Sequence, residues 1–138
     1  MKFTGLILAS SAWLAVAAAP IAGLCDEIKG TKPDQWLACY AATKLHQDAI
    51  AATGRAPLAV VLKSGEPRIA YQRLTRQYLI GFKKLDTEAA AAVMIKAPAE
   101  MKKTSSAPEI EDLARSCTLN LPDLSNPMFY AEYPFLAD

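Results

Sequence analysis

The stretch that decides the fold is TKPDQWLACYAATKLHQDAIAAT, residues 31–53. Its aromatic, leucine and alanine positions recur at spacings of three and four, which predicts a long helix with a wide apolar face. The start resembles a capping box, with Thr31 at the cap, Pro33 in the first turn and Asp34 as the acid. Gly54 stands where a left-handed C-terminal cap is expected.

Three further segments carry helical patterns before the last helix. Residues 57–63 are a short apolar run, which we interpret as a short helix because no second convincing strand is available to pair with it. Residues 64–67 (SGEP) predict a turn, and residues 67–85 predict the clearest amphipathic helix. An alanine-rich helix is expected over Glu88–Ala97, and Pro98 should end or kink it.

The last helix and the C-terminal segment complete the organisation. Ser106 and Glu109 form a capping box, and an apolar stripe follows as far as Cys117. Residues 119–138 contain three prolines and four aromatics, which predicts an extended arm that either straps the core or serves as an interaction segment. We therefore expect a mainly α fold, a small bundle of about four to five helices over residues 19–118, with an extended aromatic C-terminal arm.

The N-terminus has the pattern of a cleavable secretory signal peptide. Lys2 precedes residues 3–18, a stretch without charge that ends in small residues, and we expect residues 1–18 to be removed before Ala19. The alternative is a retained membrane anchor, because the uncharged run continues to Cys25. Cleavage would place the mature chain in the periplasm or outside the cell, with 14 basic and 14 acidic side chains.

Three cysteines are expected to lie in an oxidising compartment, where one disulfide can form. Cys25 and Cys39 lie seven positions on either side of Lys32, and an antiparallel hairpin across the turn-like residues 30–33 would bring their sulfurs together. Cys39–Cys117 is the rival, since it closes a longer loop and restricts the unfolded state more. Cys25–Cys117 and no bridge at all remain open as well.

Charge is segregated along the chain. Residues 63–103 carry a balance of +5, and residues 109–138 carry a balance of −5. One interpretation is a solvated helix face, and a second is an acidic arm folded back beside the basic helix. A third is a docking surface for an acidic protein or an anionic lipid surface. Nucleic acid is not an expected partner, because the mature chain would be neutral and exported.

The candidate partner-binding residues come from both regions. The basic helix and the arm supply them as follows: Arg68, Arg73, Arg76, Lys83, Lys84, Phe129, Tyr130, Tyr133 and Phe135.

Recognisable catalytic and metal-binding patterns are missing from the sequence. His46 follows Cys39 by seven residues, which separates the two side chains by about 10 Å along one helix, too far for a nucleophile–base hydrogen bond. Zinc spacings, phosphate loops and hydrolase motifs do not occur. We predict no catalytic residue, no metal and no cofactor, and an enzyme is the less favoured possibility.

These observations favour an exported, non-enzymatic helical protein that acts through a protein–protein binding surface, comparable in architecture to inhibitors, immunity proteins or chaperones. One alternative is a periplasmic carrier of a small molecule or lipid held between helices. Another alternative is a hydrolase whose site is assembled only in three dimensions. Four aromatic side chains would line the ligand site of such a carrier: Trp36, Tyr40, Tyr71 and Tyr78.

Overall fold

The structure, a computed structural model, describes residues 30–137, without the side chain of Ala137. The expectations about the signal peptide, the membrane anchor and Cys25 lie outside the described residues. Within residues 30–137 the chain is mainly helical and contains no strand, so the all-α prediction is confirmed. None of the helices in this range is long and apolar enough to cross a membrane.

The described residues contain five α-helices, one π-helical turn and one 3-10 turn. In chain order they are α1 (Pro33–Ala52), α2 (Leu58–Gln77), the π turn (Tyr78–Phe82), α3 (Thr87–Thr104), α4 (Ala107–Leu119), α5 (Pro127–Glu132) and the 3-10 turn (Pro134–Ala137).

Helix α1 ends as predicted but begins differently. Lys32 is the residue that precedes the first turn, and its side chain makes no capping hydrogen bond. The capping box expected from Thr31 and Asp34 is therefore wrong. Gly54 adopts φ +66°, and its N–H donates to the Ala51 carbonyl, so the left-handed glycine predicted at this end is confirmed.

Side-chain caps define the starts of α3 and α4. The Asp86 carboxylate accepts a hydrogen bond of 2.7 Å from the backbone N–H of Ala89. At α4 the Ser106 hydroxyl accepts from the Glu109 N–H, and the Glu109 carboxylate accepts from the Ser106 N–H. The capping box predicted for α4 is confirmed.

Two prolines lie inside helices, although the sequence predicts an interruption at each of them. Residues 57–63 are helical as predicted, but the turn expected at residues 64–67 is wrong, because α2 runs on through Pro67. Likewise α3 continues past Pro98, which is buried. An internal proline removes one backbone hydrogen bond, and the packing of each helix along its neighbours offsets that loss.

Helix α1 lies at the centre of the bundle and packs against α2, α3 and α4. The middle of α1, residues 38–43, is buried on all sides. Small alanine side chains there allow α3 and α4 to approach, through contacts with Met101 and Ile110. The larger side chains of the core gather toward the start of α1, around Trp36.

The disulfide joins Cys39 to Cys117, with a Cα–Cα distance of 5.7 Å. The pairing Cys25–Cys39 is therefore wrong. It required an extended strand on each side of residues 30–33, whereas α1 begins at Pro33 and places Cys39 on a buried helical face toward α4. The rival pairing is the one that the structure contains.

The C-terminal arm is not extended throughout, which corrects the prediction for residues 119–138. The Asn126 side chain caps α5 by accepting a hydrogen bond of 3.0 Å from the Met128 N–H. Pro127 stands in the first turn of α5 and Pro134 begins the 3-10 turn. Proline is tolerated at such positions, because the first N–H groups of a helix have no intrahelical partner.

Candidate functional site

The arm is held against the bundle by an aromatic cluster around Trp36. Trp36 is fully buried, and its ring lies 5.6 Å from Tyr133, 6.1 Å from Phe129 and 6.3 Å from Phe135, measured between centroids. Tyr78 of the π turn closes the other side at 6.1 Å. Edge-on and tilted contacts of this kind add to the burial of apolar area. The arm therefore packs as part of the fold.

A buried tyrosine connects the start of the described chain to α4. The Tyr71 hydroxyl donates a 2.7 Å hydrogen bond to the Cys117 carbonyl and lies 3.4 Å from the Gly30 carbonyl. Burial raises the pKa of Tyr71 far above its ordinary value. Gly30 adopts φ +84°, and a Cβ there would collide with the Tyr71 hydroxyl and the Cys39 sulfur. This end of the bundle is therefore tightly fixed.

A surface groove of about 290 Å³ opens beside the aromatic cluster, and we call it the arm groove. The start of α1, the end of α4 and helix α5 contribute its lining: Thr31, Lys32, Asn120, Pro122, Phe129, Glu132 and Tyr133. Phe129 and Tyr133 form aromatic walls whose ring centroids are 5.2 Å apart. Lys32 and Glu132 bring one charge of each sign to the lining.

A tyrosine is protonated at neutral pH, and the surroundings of Tyr133 in the arm groove further disfavour its ionisation. Burial raises the pKa of the Tyr133 phenol, and the neighbouring Glu132 carboxylate raises it further through its charge and a hydrogen bond. Asp34 acts in the same direction. At neutral pH the phenol is therefore a hydrogen-bond donor, next to a carboxylate that can only accept.

The four aromatic candidates of the arm are all half-buried. Besides its contacts with Trp36, Phe135 packs against the π turn, where a Cβ on Gly81 would lie 3.2 Å from the Cβ of Phe135. The Tyr130 hydroxyl donates a 2.8 Å hydrogen bond to the Leu124 carbonyl. Three of the four aromatics thus bind the arm to Trp36, and two of them also wall the groove.

The five basic candidates divide into two groups. The Arg68 side chain donates to Gln47 at 2.6 Å and to Gln72 at 2.8 Å, so it links α2 to α1. Lys83 places its ammonium 5.9 Å from the ring centre of Tyr78. The remaining three, Arg73, Arg76 and Lys84, are exposed and take part in no ion pair among the described residues.

The arm and the basic helix are not joined by charge. Every ion pair among residues 30–137 connects side chains three or four positions apart on one helix. Arg73 and Tyr130 do border a common recess, but its volume of about 10 Å³ accommodates one water molecule at most. The arm is thus attached through aromatic contacts.

The residues weighed for catalysis and ligand carriage have structural roles. Cys39 lies in the disulfide, so it offers no thiolate for a pair with His46. No group of three histidine, cysteine, aspartate or glutamate side chains in the described part of the chain could hold a metal ion. Trp36, Tyr40 and Tyr71 are buried in the core, so the carrier and hydrolase alternatives remain predictions without support from this packing.

Most of the arm groove was missed by sequence reasoning. Phe129 and Tyr133 were candidates, whereas Lys32, Asn120 and Pro122 were not. These three come from the start of α1 and the end of α4, and only the folded bundle brings them together. Of the two further members, Thr31 was predicted only as a helix cap, and Glu132 stands near the predicted aromatic Tyr133 in the sequence.

Comparisons with protein-family models, with curated proteins and with solved structures found no significant match to this chain.

Proposed function

We propose that this chain is an exported, non-enzymatic binding protein whose arm groove receives a segment of a partner protein. The observation that carries the proposal is the pair of aromatic walls, Phe129 and Tyr133, both packed on the buried Trp36. Aromatic side chains held in place before binding lose little conformational entropy on association. This is the property expected of an interface anchor.

The chemistry of the arm groove favours a polypeptide segment as its occupant. The groove is open and shallow, whereas small-molecule sites enclose most of their ligand. The rings of Phe129 and Tyr133 contact each other, and an apolar side chain of the partner packs on the surface that they form together. Lys32 and Glu132 then supply a positive charge and a negative charge for the partner's polar groups. This mixture suits a protein surface with both signs of charge.

Two features support the export of the protein. The N-terminal residues 1–18 have the composition of a signal peptide. The Cys39–Cys117 bridge is of the kind that persists in oxidising compartments such as the periplasm or the cell exterior. The proposed setting is therefore outside the cytoplasm, where inhibitor-, immunity- and chaperone-like proteins also work by binding other proteins.

Site-specific photo-cross-linking tests the proposal. A photoreactive residue at Thr31, in the groove, is compared with one at Ile95, an apolar residue of α3 that is 75% exposed. We expect a discrete protein adduct from Thr31 in producing cells and none from Ile95. The adduct should be lost when Asn120→Trp fills the groove.

The result is decisive in both directions. Equal adducts from Thr31 and Ile95, or an adduct that survives Asn120→Trp, would contradict the proposal. The absence of any adduct from Thr31 would also contradict it, and a small molecule retained in native mass spectrometry would then favour the carrier alternative.

A further inference from the structure

Helix α2 has an outer face that no other element of the described chain covers. Three large aliphatic side chains on this face are 72% (Leu58), 62% (Leu62) and 57% (Ile69) exposed. Arg73 and Arg76 follow and are also exposed. With 100° per residue, all of these positions fall within about 60° around the helix axis. We define the α2 outer face by these residues: Leu58, Leu62, Ile69, Arg73 and Arg76.

The outer face combines apolar and cationic side chains along one line. Residues 58 to 76 span about 27 Å at 1.5 Å per residue. Residues 55–85 contain seven basic side chains and one acidic side chain, Glu66. Of the basic residues only Arg68 makes side-chain hydrogen bonds, and none forms an ion pair within the described chain. Within residues 30–137 the positive charge of this region is thus not neutralised by ion pairs.

We propose that the α2 outer face docks on the surface of a bilayer that contains anionic lipid. Exposed leucine and isoleucine side chains followed by arginines on one helix face are the side chains with which interfacial helices contact a membrane. The aliphatic side chains enter the boundary between head groups and acyl chains. Arg73 and Arg76 meet the phosphates. One planar, negatively charged occupant accounts for the apolar half and the cationic half together.

An acidic protein is the other occupant to consider. It would need an apolar groove complementary to Leu58, Leu62 and Ile69 as well as carboxylates placed for the arginines. A fluid bilayer needs no such shape, because lipids rearrange around the inserted side chains. The outer face is also separate from the arm groove, since the two share no residue. Failure of one proposal therefore leaves the other intact.

Co-sedimentation with vesicles tests the docking. The probes are vesicles of equimolar phosphatidylglycerol and phosphatidylcholine, with pure phosphatidylcholine vesicles as the neutral comparison. The protein is used in the form that the producing cell accumulates. We expect binding to the anionic vesicles at about 50 mM salt, weak binding to the neutral ones, and marked loss at about 500 mM salt.

Variants locate the contact on α2. Arg73→Gln with Arg76→Gln should weaken binding to anionic vesicles about 30-fold, because each substitution removes the attraction of one basic residue to the charged membrane. Leu62→Ser with Ile69→Ser should weaken it at least about tenfold. The matched control is Lys96→Gln with Lys102→Gln, which removes the same charge from exposed positions of α3 and should change binding less than about twofold.

Several results would overturn the membrane proposal. They are equal binding to anionic and neutral vesicles, no binding to the anionic vesicles at low salt, and an α3 control that weakens binding as much as the α2 pair. If the α2 variants bind vesicles normally but lose a protein cross-linked at Leu62, the outer face docks on a protein and the membrane is the wrong occupant.

Discussion

The aromatic cluster and the α2 outer face are both built from large apolar side chains near the surface, yet their environments differ. Around Trp36 the arm closes over the bundle, so Phe129, Tyr133 and Phe135 are half-buried and in mutual contact. Along α2 no element of the described part of the chain covers Leu62 and Ile69. The same chemical property therefore stabilises the fold in one region and is left uncovered in the other.

Removing Trp36 should break the first region most severely. Trp36→Ala deletes a fully buried ring, its contacts with the arm and its hydrogen bond to the Gly30 carbonyl. We expect a loss of about 4 kcal/mol in the free energy of unfolding, measured by urea denaturation.

The milder Trp36→Phe variant covers the case in which Trp36→Ala does not fold, and it should lose about 1–2 kcal/mol. Leu62→Ala on α2 is the control, and its free energy of unfolding should stay within about 0.5 kcal/mol of that of the original protein. If Leu62→Ala lost more stability than Trp36→Phe, the α2 outer face would contribute more to the fold than the aromatic cluster, contrary to the prediction.

Removing the disulfide tests how the central helix is held to α4. Cys39 and Cys117 are separated by 78 positions, so the bridge closes a long loop in the unfolded chain. The double variant Cys39→Ala, Cys117→Ala should lose about 4 kcal/mol of stability, most of it through the unfolded state.

Hydrogen exchange should show where the disulfide acts. The amides of α4 should lose more protection than those of α2, because the bridge, besides its effect on the unfolded state, restrains the local opening of α4 away from α1. Equal loss of protection in both helices would contradict a local role for the bridge.

Alkaline pH should weaken the end of the bundle that Tyr71 holds. Burial raises the pKa of Tyr71 in the folded state above the value of about 10 expected in the unfolded state. The contribution of Tyr71 to the free energy of unfolding is therefore complete below about pH 10. It is lost as the pH rises above that value, because the unfolded chain releases the phenol proton first. The pKa values of Tyr78 and Tyr133 are raised too, so they act in the same direction.

Urea midpoints measured from pH 8 to 11 check this dependence. Each tyrosine whose pKa is raised in the folded state lowers the free energy of unfolding by at most about 1.4 kcal/mol per pH unit. Tyr71→Phe should reduce the slope above pH 10 and leave Tyr78 and Tyr133 to supply the remainder. An unchanged slope would mean that Tyr71 ionises equally in both states.

The smallest expected effect separates two neighbouring arginines of α2. Arg68→Ala removes the hydrogen bonds to Gln47 and Gln72, and should cost about 1 kcal/mol. Arg73→Ala, which removes an exposed side chain with no hydrogen bond, should change the stability by less than about 0.5 kcal/mol. Similar losses from both variants would show that Arg73 also belongs to the fold.

The sequence predicted local structure better than pairing between elements. The α4 capping box and the helical period of α1 depend on neighbouring residues, and both were predicted from them. The turn at residues 64–67 was wrong, because glycine and proline normally interrupt a helix. In this fold Gly65 is buried beneath the Gln47 side chain, so tertiary packing outweighs the local preference.

The disulfide shows what more could have been inferred. Cys39 lies on the apolar face of the predicted first helix, and Cys117 ends the apolar stripe of the last. Two buried helical faces are more compatible with each other than either is with a hairpin. The arm groove had no comparable signal, because Lys32 and Asn120 meet only after α1 and α4 have packed.

The central claim is that the aromatic cluster builds the fold while the α2 outer face is not needed for it. The most direct measurement is the free energy of unfolding of Leu62→Ser with Ile69→Ser, compared with that of Phe129→Ser with Phe135→Ser. We predict a change below about 0.5 kcal/mol for the α2 pair and a loss above about 3 kcal/mol for the arm pair. A loss of about 2 kcal/mol or more from the α2 pair would contradict the account.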